Sequence, residues 1–546
     1  VTPPAAADLR SLVDTALARG AALLTAGERA VVARLLALST PAFAAYTNLT
    51  GRVERPHRAG GWPPEVLAEL RAAGFVDGLV TATEVARAST VPELRAACRI
   101  LGLPQSGPKD ALVAALGGHR GWWTDPWFRV RHRGLVTRLE RWALLEAWPD
   151  RKGAVLERLG LVRWPAYALT RGAALFPDRR AALRWEAAAV AVDPEAALRA
   201  WVAGDGRAPG RLDLERALAE RVRAGAEAAE RSGDLARAAG WYARWPGRRA
   251  EVAFRAARVL EAQGQPGAAL RVLREGLADA TPSEAVALAR AGRRLAKAAR
   301  TSFPPAPPLR APAARTLALP RAPGGGLRPR WGGDGAFVED AVIAHLATHG
   351  RGAVHGEGAP WRTLVSLLLA DLYFLPIDGA LPVPRLPGPL DLGSPAFAAR
   401  RAGPLAALRA RLVDEGAASL AAEAAARWGG IRLAGVDPSV PAEVLTALAA
   451  AFPGAVWAAL VGLRAAGRSF GGMPDLLVWP GEAVALTDAH PRRLPPEAFA
   501  VEVKGPTDAL RDHQADWLHT LAGLGVRVEL WEIVERGAST PPRPTE

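Results

Sequence analysis

The sequence predicts a multidomain chain: a mainly α N-terminal region followed by an α/β domain on a mixed sheet. Three observations carry this. Apolar residues recur at helical spacing from residue 8 to about residue 300. A proline- and glycine-rich segment, 301–333, then breaks the pattern. Beyond it, Leu476 to Trp479, Ala498 to Val503 and Val526 to Trp531 are short apolar runs that read as strands.

Composition sets the outer bounds. A chain of 546 residues has room for several domains and an ample core. Its net charge of +14 favours a polyanionic partner, because cations that neutralise phosphates release counterions. The single cysteine, Cys98, excludes an intrachain disulfide and a cysteine-rich zinc site. Val1-Thr2-Pro3-Pro4 carries neither a basic nor an apolar leader, so no signal peptide is expected. The apolar runs Thr363 to Ile377 and Val444 to Leu463 are broken by Asp371 and by Pro453-Gly454, so no membrane span is expected. The corresponding expectation is a cytoplasmic protein.

Residues 1–90 carry helical periodicity in Leu9, Leu12 and Val13 and again in Val31, Val32, Leu35 and Leu36. A strand turn at Arg52 to Arg58 would make this a winged-helix-like unit; a plain helical bundle fits equally. Residues 91–180 open with Leu94, Cys98 and Leu101 on one helical face, then Gly102-Leu103-Pro104-Gln105-Ser106-Gly107 as a loop. Lys109 begins a second helix that turns Leu112, Val113 and Leu116 inward. This pattern over 92–117 resembles the SAP module, a small DNA-binding motif, and puts Lys109 at a helix N-terminus suited to a phosphate. Trp122, Trp123, Trp127, Trp142, Trp148 and Trp164 follow, interleaved with arginines from Arg129 to Arg141. Most of these tryptophans are expected in the core.

Residues 181–300 contain two echoing segments, Gly233-Asp234-Leu235-Ala236 and Gly264-Gln265-Pro266-Gly267, whose leading glycines stand 31 residues apart. That spacing is near the tetratricopeptide period of roughly 34 and suggests a degenerate helical-repeat domain. Residues 301–333 read as a linker and 334–546 as the catalytic domain.

The chemistry centres on one unusual residue. Lys504 is one of four lysines in a chain whose other cations are arginine. A lysine kept under such a bias suits a task that needs a compact charge. It lies in Val501-Glu502-Val503-Lys504, and alternation along a strand puts Glu502 and Lys504 on the same face. Asp475, after Met473-Pro474, enters the preceding strand. Glu357 sits between glycines just before the apolar helix from Trp361. Carboxylates are hard oxygen donors suited to one or two Mg²⁺ or Mn²⁺ ions, and lysine can orient or deprotonate water. The set Glu357, Asp475, Glu502 and Lys504 therefore points to metal-dependent hydrolysis of a phosphodiester.

His355-Gly356-Glu357-Gly358, Gly472-Met473-Pro474-Asp475-Leu476 and Val501-Glu502-Val503-Lys504-Gly505-Pro506 resemble the VRR-NUC domain of the Fanconi-associated nuclease family, within the PD-(D/E)xK nucleases. The likeness continues through Asp508, Leu510, Gln514 and Trp517. It implies a structure-selective nuclease for 5′-flap and branched DNA, with 5′-to-3′ exonuclease activity and a part in interstrand crosslink repair. It further implies Glu357, Asp475 and Glu502 as metal ligands, Val503 as a carbonyl ligand, Lys504 as the catalytic lysine and Gln514 beside them. The lone cysteine leaves no ubiquitin-binding zinc finger, as in a bacterial, nucleoid-associated and monomeric member. Pro480 to Glu497 is longer than the family's usual turn. Two alternatives stand beside this reading: a catalytically idle DNA-binding scaffold and a junction resolvase of the same superfamily.

Overall fold

The computed structural model describes residues 4–52, 54–144, 156–157, 160–169, 176, 178–190, 212–245, 248–322, 330–331, 335–480, 498–506 and 508–536. The chain divides into two compact units, 1–162 with 172–190, and 163–171 with 191–546. Trp148 and the long turn after Pro480 lie outside the described residues.

In the first unit, helices Pro4–Gly20, Ala26–Leu36, Thr40–Gly51 and Pro64–Ala72 bury Leu9, Val13, Leu35, Phe43, Tyr46 and Leu70. Thr25 and Glu28 cap the second of these reciprocally, satisfying donors that no helical turn can reach. Strands β1 (His57–Arg58), β2 (Val76–Asp77) and β3 (Trp127–Val130) form a small antiparallel sheet in the order β1-β3-β2. Helices with a short sheet match the winged-helix-like alternative rather than the plain bundle. One correction concerns 127–130, expected among tryptophan- and arginine-rich helices. Here Trp127 and Phe128 are buried while the strand pairs with β1 on one side and β2 on the other.

Between β2 and β3 lies the expected hairpin, helices Val91–Ile100 and Lys109–Leu116, preceded by helix Ala82–Ala88. Leu94, Cys98, Leu112, Val113 and Leu116 close its core. The arginines that follow are largely paired: Arg129 with Glu84, Arg131 with Asp77, Arg138 with Glu28 at 2.9 Å and with Glu186 at 2.7 Å. Their charges are therefore compensated within the unit.

The second unit begins its described helices with Leu212–Arg231 and Leu235–Ala243, Ala250–Ala262 and Pro266–Leu277, then Pro282–Ala298. The two echoing glycines take left-handed angles, φ +78° at Gly233 and +73° at Gly264, and turn each helix into the next. The last repeat helix packs against helix Asp512–Gly523: Arg290 pairs with Asp512 at 2.7 Å and Ser283 donates its amide to Asp516 at 3.3 Å.

Five strands form the main sheet, in the order β4-β8-β7-β6-β5: β4 (Ala314–Leu319), β5 (Arg351–His355), β6 (Leu476–Pro480), β7 (Phe499–Lys504) and β8 (Val528–Glu535). β4 and β7 run parallel to β8, while β6 is antiparallel to both β5 and β7. The sheet is mixed, as expected. The linker reading of 301–333 needs correction, because Ala314–Leu319 is an edge strand of this sheet. No proline falls between Pro312 and Pro320, so Ala-Arg-Thr-Leu-Ala-Leu retains every backbone donor needed for pairing.

One face of the sheet packs on helix Val338–Thr348 through Leu476, Val478, Val501 and Val503. The other face, with Leu477 and Trp479, packs against a helical core that includes Ala359–Leu368, Gly454–Ala465 and Asp512–Gly523. The alanine-rich run at 444–463 is two helices of that core, bent by 110° at the Pro453-Gly454 break. Among the described residues, no single helix is long and apolar enough to cross a membrane.

Candidate active site

The sheet's register places the carboxylates. Gly356 donates its amide to the carbonyl of Asp475 at 2.7 Å, so Asp475 turns its backbone towards β5. Continuing the β6–β7 pairing from Leu476 opposite Val501 sets Asp475 opposite Glu502 and Pro474 opposite Val503. Because Asp475 turns its backbone away from β7, the Asp475–Glu502 pair is of the non-hydrogen-bonded kind, which brings side chains closer. Pro474 has no amide to give, so it withholds the ladder bond that the Val503 carbonyl would otherwise accept. The Val503 amide donates instead to the Asp475 carboxylate, at 2.8 Å.

Two glycines shape the approach. Gly358 has φ +60°, the conformation in which the chain leaves Glu357 and enters helix Ala359–Leu368. Gly472 has φ +89°, and a Cβ there would lie 2.4 Å from the His513 ring, so only glycine lets helix Asp512–Gly523 close on the turn into β6.

Glu502 is fully buried and Lys504 is 4% exposed. The Lys504 ammonium stands 2.7 Å from one Glu502 oxygen and 3.5 Å from Asp508. The shorter contact is an ion pair with poor hydrogen-bond alignment, so neither Glu502 oxygen has a protein hydrogen-bond partner of good geometry. Burial pushes the Glu502 carboxyl up to about 8, with Asp475 adding to the rise and Lys504 opposing it. Burial likewise raises Asp475 to about 6, against the Val503 amide and Lys504, with Glu339 and Glu357 adding to the rise. For Lys504 burial works downward, but Glu502, Asp508 and Asp475 outweigh it and hold the ammonium above its usual range.

These directions carry a stability prediction. Both acids titrate higher folded than unfolded, so the folded chain holds more protons between about pH 4 and pH 8. Stability then falls as pH rises through that window. Metal-free protein should lose on the order of 1 kcal/mol or more in denaturant unfolding between about pH 5 and pH 8. The pH slope should be shallower in Glu502→Gln; equal slopes in the two proteins would refute this account of the buried pair.

The structure thus brings Asp475, Glu502, Val503 and Lys504 together. Glu357 reaches the same end of the sheet, but its side chain is exposed, and no three metal-ligating side chains converge among the described residues. Gln514 is engaged elsewhere: its carbonyl oxygen accepts the Arg511 amide at 3.0 Å and caps helix Asp512–Gly523. Lys109 donates to the Arg87 carbonyl at 3.0 Å, near the end of helix Ala82–Ala88. Sequence reasoning gave no role to Asp508 or Glu339. Asp508 stands four residues after Lys504, a spacing readable only once the chain is known to turn back there. A cavity of about 820 Å³ lies on the repeat helices beside Arg258, Arg290 and Arg294, and Asp475, Glu502 and Lys504 do not line it.

Residues 429–533 match the VRR-NUC domain family, and residues 88–117 match the SAP domain family. The first match contains Asp475, Glu502, Lys504 and Gln514; Glu357 precedes it. The chain is 33% identical over 214 residues to Fanconi-associated nuclease 1 of Homo sapiens, covering 37% of this chain and 20% of that protein. It is 26% identical over 450 residues to the Fanconi-associated nuclease 1 homolog of Arabidopsis thaliana, covering 73% of this chain and 49% of that one. Among solved structures, paFAN1 bound to DNA with a 2-nucleotide 5′ flap and a gap superposes with a TM-score of 0.79 at 23% identity. That alignment covers 99% of this chain and 100% of the other. This chain therefore spans about a fifth of the human relative's length and the whole of the structural neighbour.

Proposed function

The chain belongs to the Fanconi-associated nuclease family, and from that premise we propose that it is a structure-selective, metal-dependent DNA nuclease. Its substrates are 5′-flap and branched DNA, with 5′-to-3′ exonuclease action and a part in interstrand crosslink repair. The carrying observation is the buried Glu502–Lys504 pair facing Asp475 at one end of a mixed sheet, in a chain that also holds a SAP domain.

Two hard oxygen donors with unspent lone pairs, in a dry setting, fit a divalent cation such as Mg²⁺ or Mn²⁺. Asp475 and Glu502 would hold it, with the Val503 carbonyl that Pro474 leaves unbonded and with Glu357 from the rim. When bound, the ion supplies charge neutralisation for the phosphodiester oxygens.

The chain's own residues do the rest. Asp475 is fixed by the Val503 amide, so its free oxygen faces the substrate in one orientation. Lys504, tied to Glu502 and Asp508, keeps its proton and points it at the scissile group, orienting the attacking water and stabilising developing negative charge. That narrows the task from the two expected of it: in this setting lysine donates a hydrogen bond and does not take a proton from water.

The reading is tested with end-labelled 5′-flap, 3′-flap, nicked and four-way-junction DNAs in Mn²⁺, with cuts mapped on each strand. Preferential cutting beside the 5′ flap is expected. Preferred, symmetric cutting of the four-way junction would transfer the proposal to the resolvase alternative. For the SAP hairpin, Lys109→Glu is expected to lower the slope of log affinity against log salt by about 0.9, one phosphate's worth. An unchanged slope removes Lys109 from the DNA contact.

A further inference from the structure

We propose that a groove in the first unit, lined by Arg52, Arg55, His57, Arg58, Trp62 and Trp127, binds a phosphate of the DNA strand, separately from Lys109. This rests on the reading of DNA as substrate and adds a second contact in the N-terminal unit.

The groove encloses about 480 Å³. His57, one of the lining residues, is 7% exposed, and its Nε2 has no hydrogen-bond partner among the described residues. A buried ring nitrogen left unpaired is destabilising, and a bound hydrogen-bond partner relieves it. Burial, together with Arg52, Arg55 and Arg133, lowers the His57 pKa, so the ring is neutral near pH 7 and can donate one N–H.

The cations around it are unevenly spent. Arg58 is paired with Glu93 at 2.5 Å and lies 3.6 Å from Asp125. Arg52 bonds the neutral amide of Asn48 at 2.9 Å, which leaves its charge uncompensated. Arg55 is exposed and has no ion pair among the described residues. The Arg52 guanidinium lies 5.3 Å from the Trp62 ring and that of Arg58 5.0 Å from Trp127, so indole faces hold both cations. No carboxylate lines the groove. Planar cations, a neutral donor and no acidic wall suit a phosphate.

The occupant follows from position. Ala88, the first residue of the SAP match, also lines the groove. A strand gripped by the SAP hairpin therefore has a neighbouring phosphate socket on the same unit. Many acidic peptides would meet the same charges, but a polymer with a phosphate at each step fits a single anion socket beside a DNA-binding module.

The test uses the full chain without metal and a fluorescent 5′-flap DNA. Affinity is measured from about 0.05 to 0.3 M salt for wild type, Arg55→Ala, His57→Gln and His57→Ala, with thermal melting as a check on folding. Arg55→Ala should lower the salt slope by about 0.9 and weaken binding several-fold near 0.1 M salt. His57→Gln, which retains a donor, should bind more tightly than His57→Ala. Parallel DNAs with and without a 5′-terminal phosphate separate the two phosphate sources: equal losses mean an internal phosphodiester, and a loss confined to the phosphorylated DNA means the terminal group. Wild-type binding with an unchanged slope in Arg55→Ala overturns the groove alone. No wild-type binding of flap DNA overturns the substrate reading and the groove with it.

Discussion

Lys504→Ala is expected to lower single-turnover cleavage of a 5′-flap DNA by about 10³-fold while leaving DNA affinity near wild type. The reason is local. Lys504 is 4% exposed, and its charge is held by the Glu502, Asp508 and Asp475 carboxylates and does not lie on an exposed surface. Lys504→Arg should not rescue the rate, because a planar guanidinium cannot occupy the volume of an ammonium 2.7 Å from a fully buried carboxylate. Asp475→Asn is the matching change on the neighbouring strand. It retains an acceptor for the Val503 amide and removes only the charge, so it should lose activity without the destabilisation that Asp475→Ala brings by orphaning that amide. Cleavage within tenfold of wild type in both Lys504→Ala and Asp475→Asn would sink the assignment of this site.

Chelation with EDTA is expected to reduce cleavage on the order of 10³-fold, with Mg²⁺ or Mn²⁺ restoring it. A second readout does not depend on turnover. An ion that binds only the folded chain stabilises it by about 2.7 kcal/mol at a hundred times its dissociation constant, so melting should shift upward with Mn²⁺. Affinity should rise with pH as Asp475 and Glu502, raised to about 6 and about 8 in the metal-free chain, give up their protons. Glu502→Gln should abolish the melting shift. Full cleavage in EDTA would exclude the mechanism.

Much of the site was legible because it depends on strand alternation. Glu502 and Lys504 share a face by parity alone, and a proline before Asp475 marks where a strand begins. The strand-pairing partners were not legible. β5 has only five residues, and its alternation is blurred by Gly352, whose missing side chain makes room for the Trp479 ring. Helix Asp512–Gly523 begins four residues after Asp508, where Arg511 and Gln514 cap it. Asp508 is thereby left in the turn, able to reach back to Lys504. β3 was hidden because tryptophans suggest core without specifying helix or strand. The SAP hairpin was clear because its contacts are local, Cys98 and Leu116 closing one small core.

The strand drawn from the proline-rich segment has a consequence for dissection. β4 supplies the outer partner of β8, and the chain reaches it directly from the last repeat helix. A fragment begun at residue 334 would leave the β8 backbone with one open edge, an invitation to pair with a neighbouring molecule. What looks like a hinge in the sequence is therefore also a selvedge that keeps the sheet from fraying. The shortest soluble catalytic fragment should start before Ala314 rather than at the last proline-glycine run.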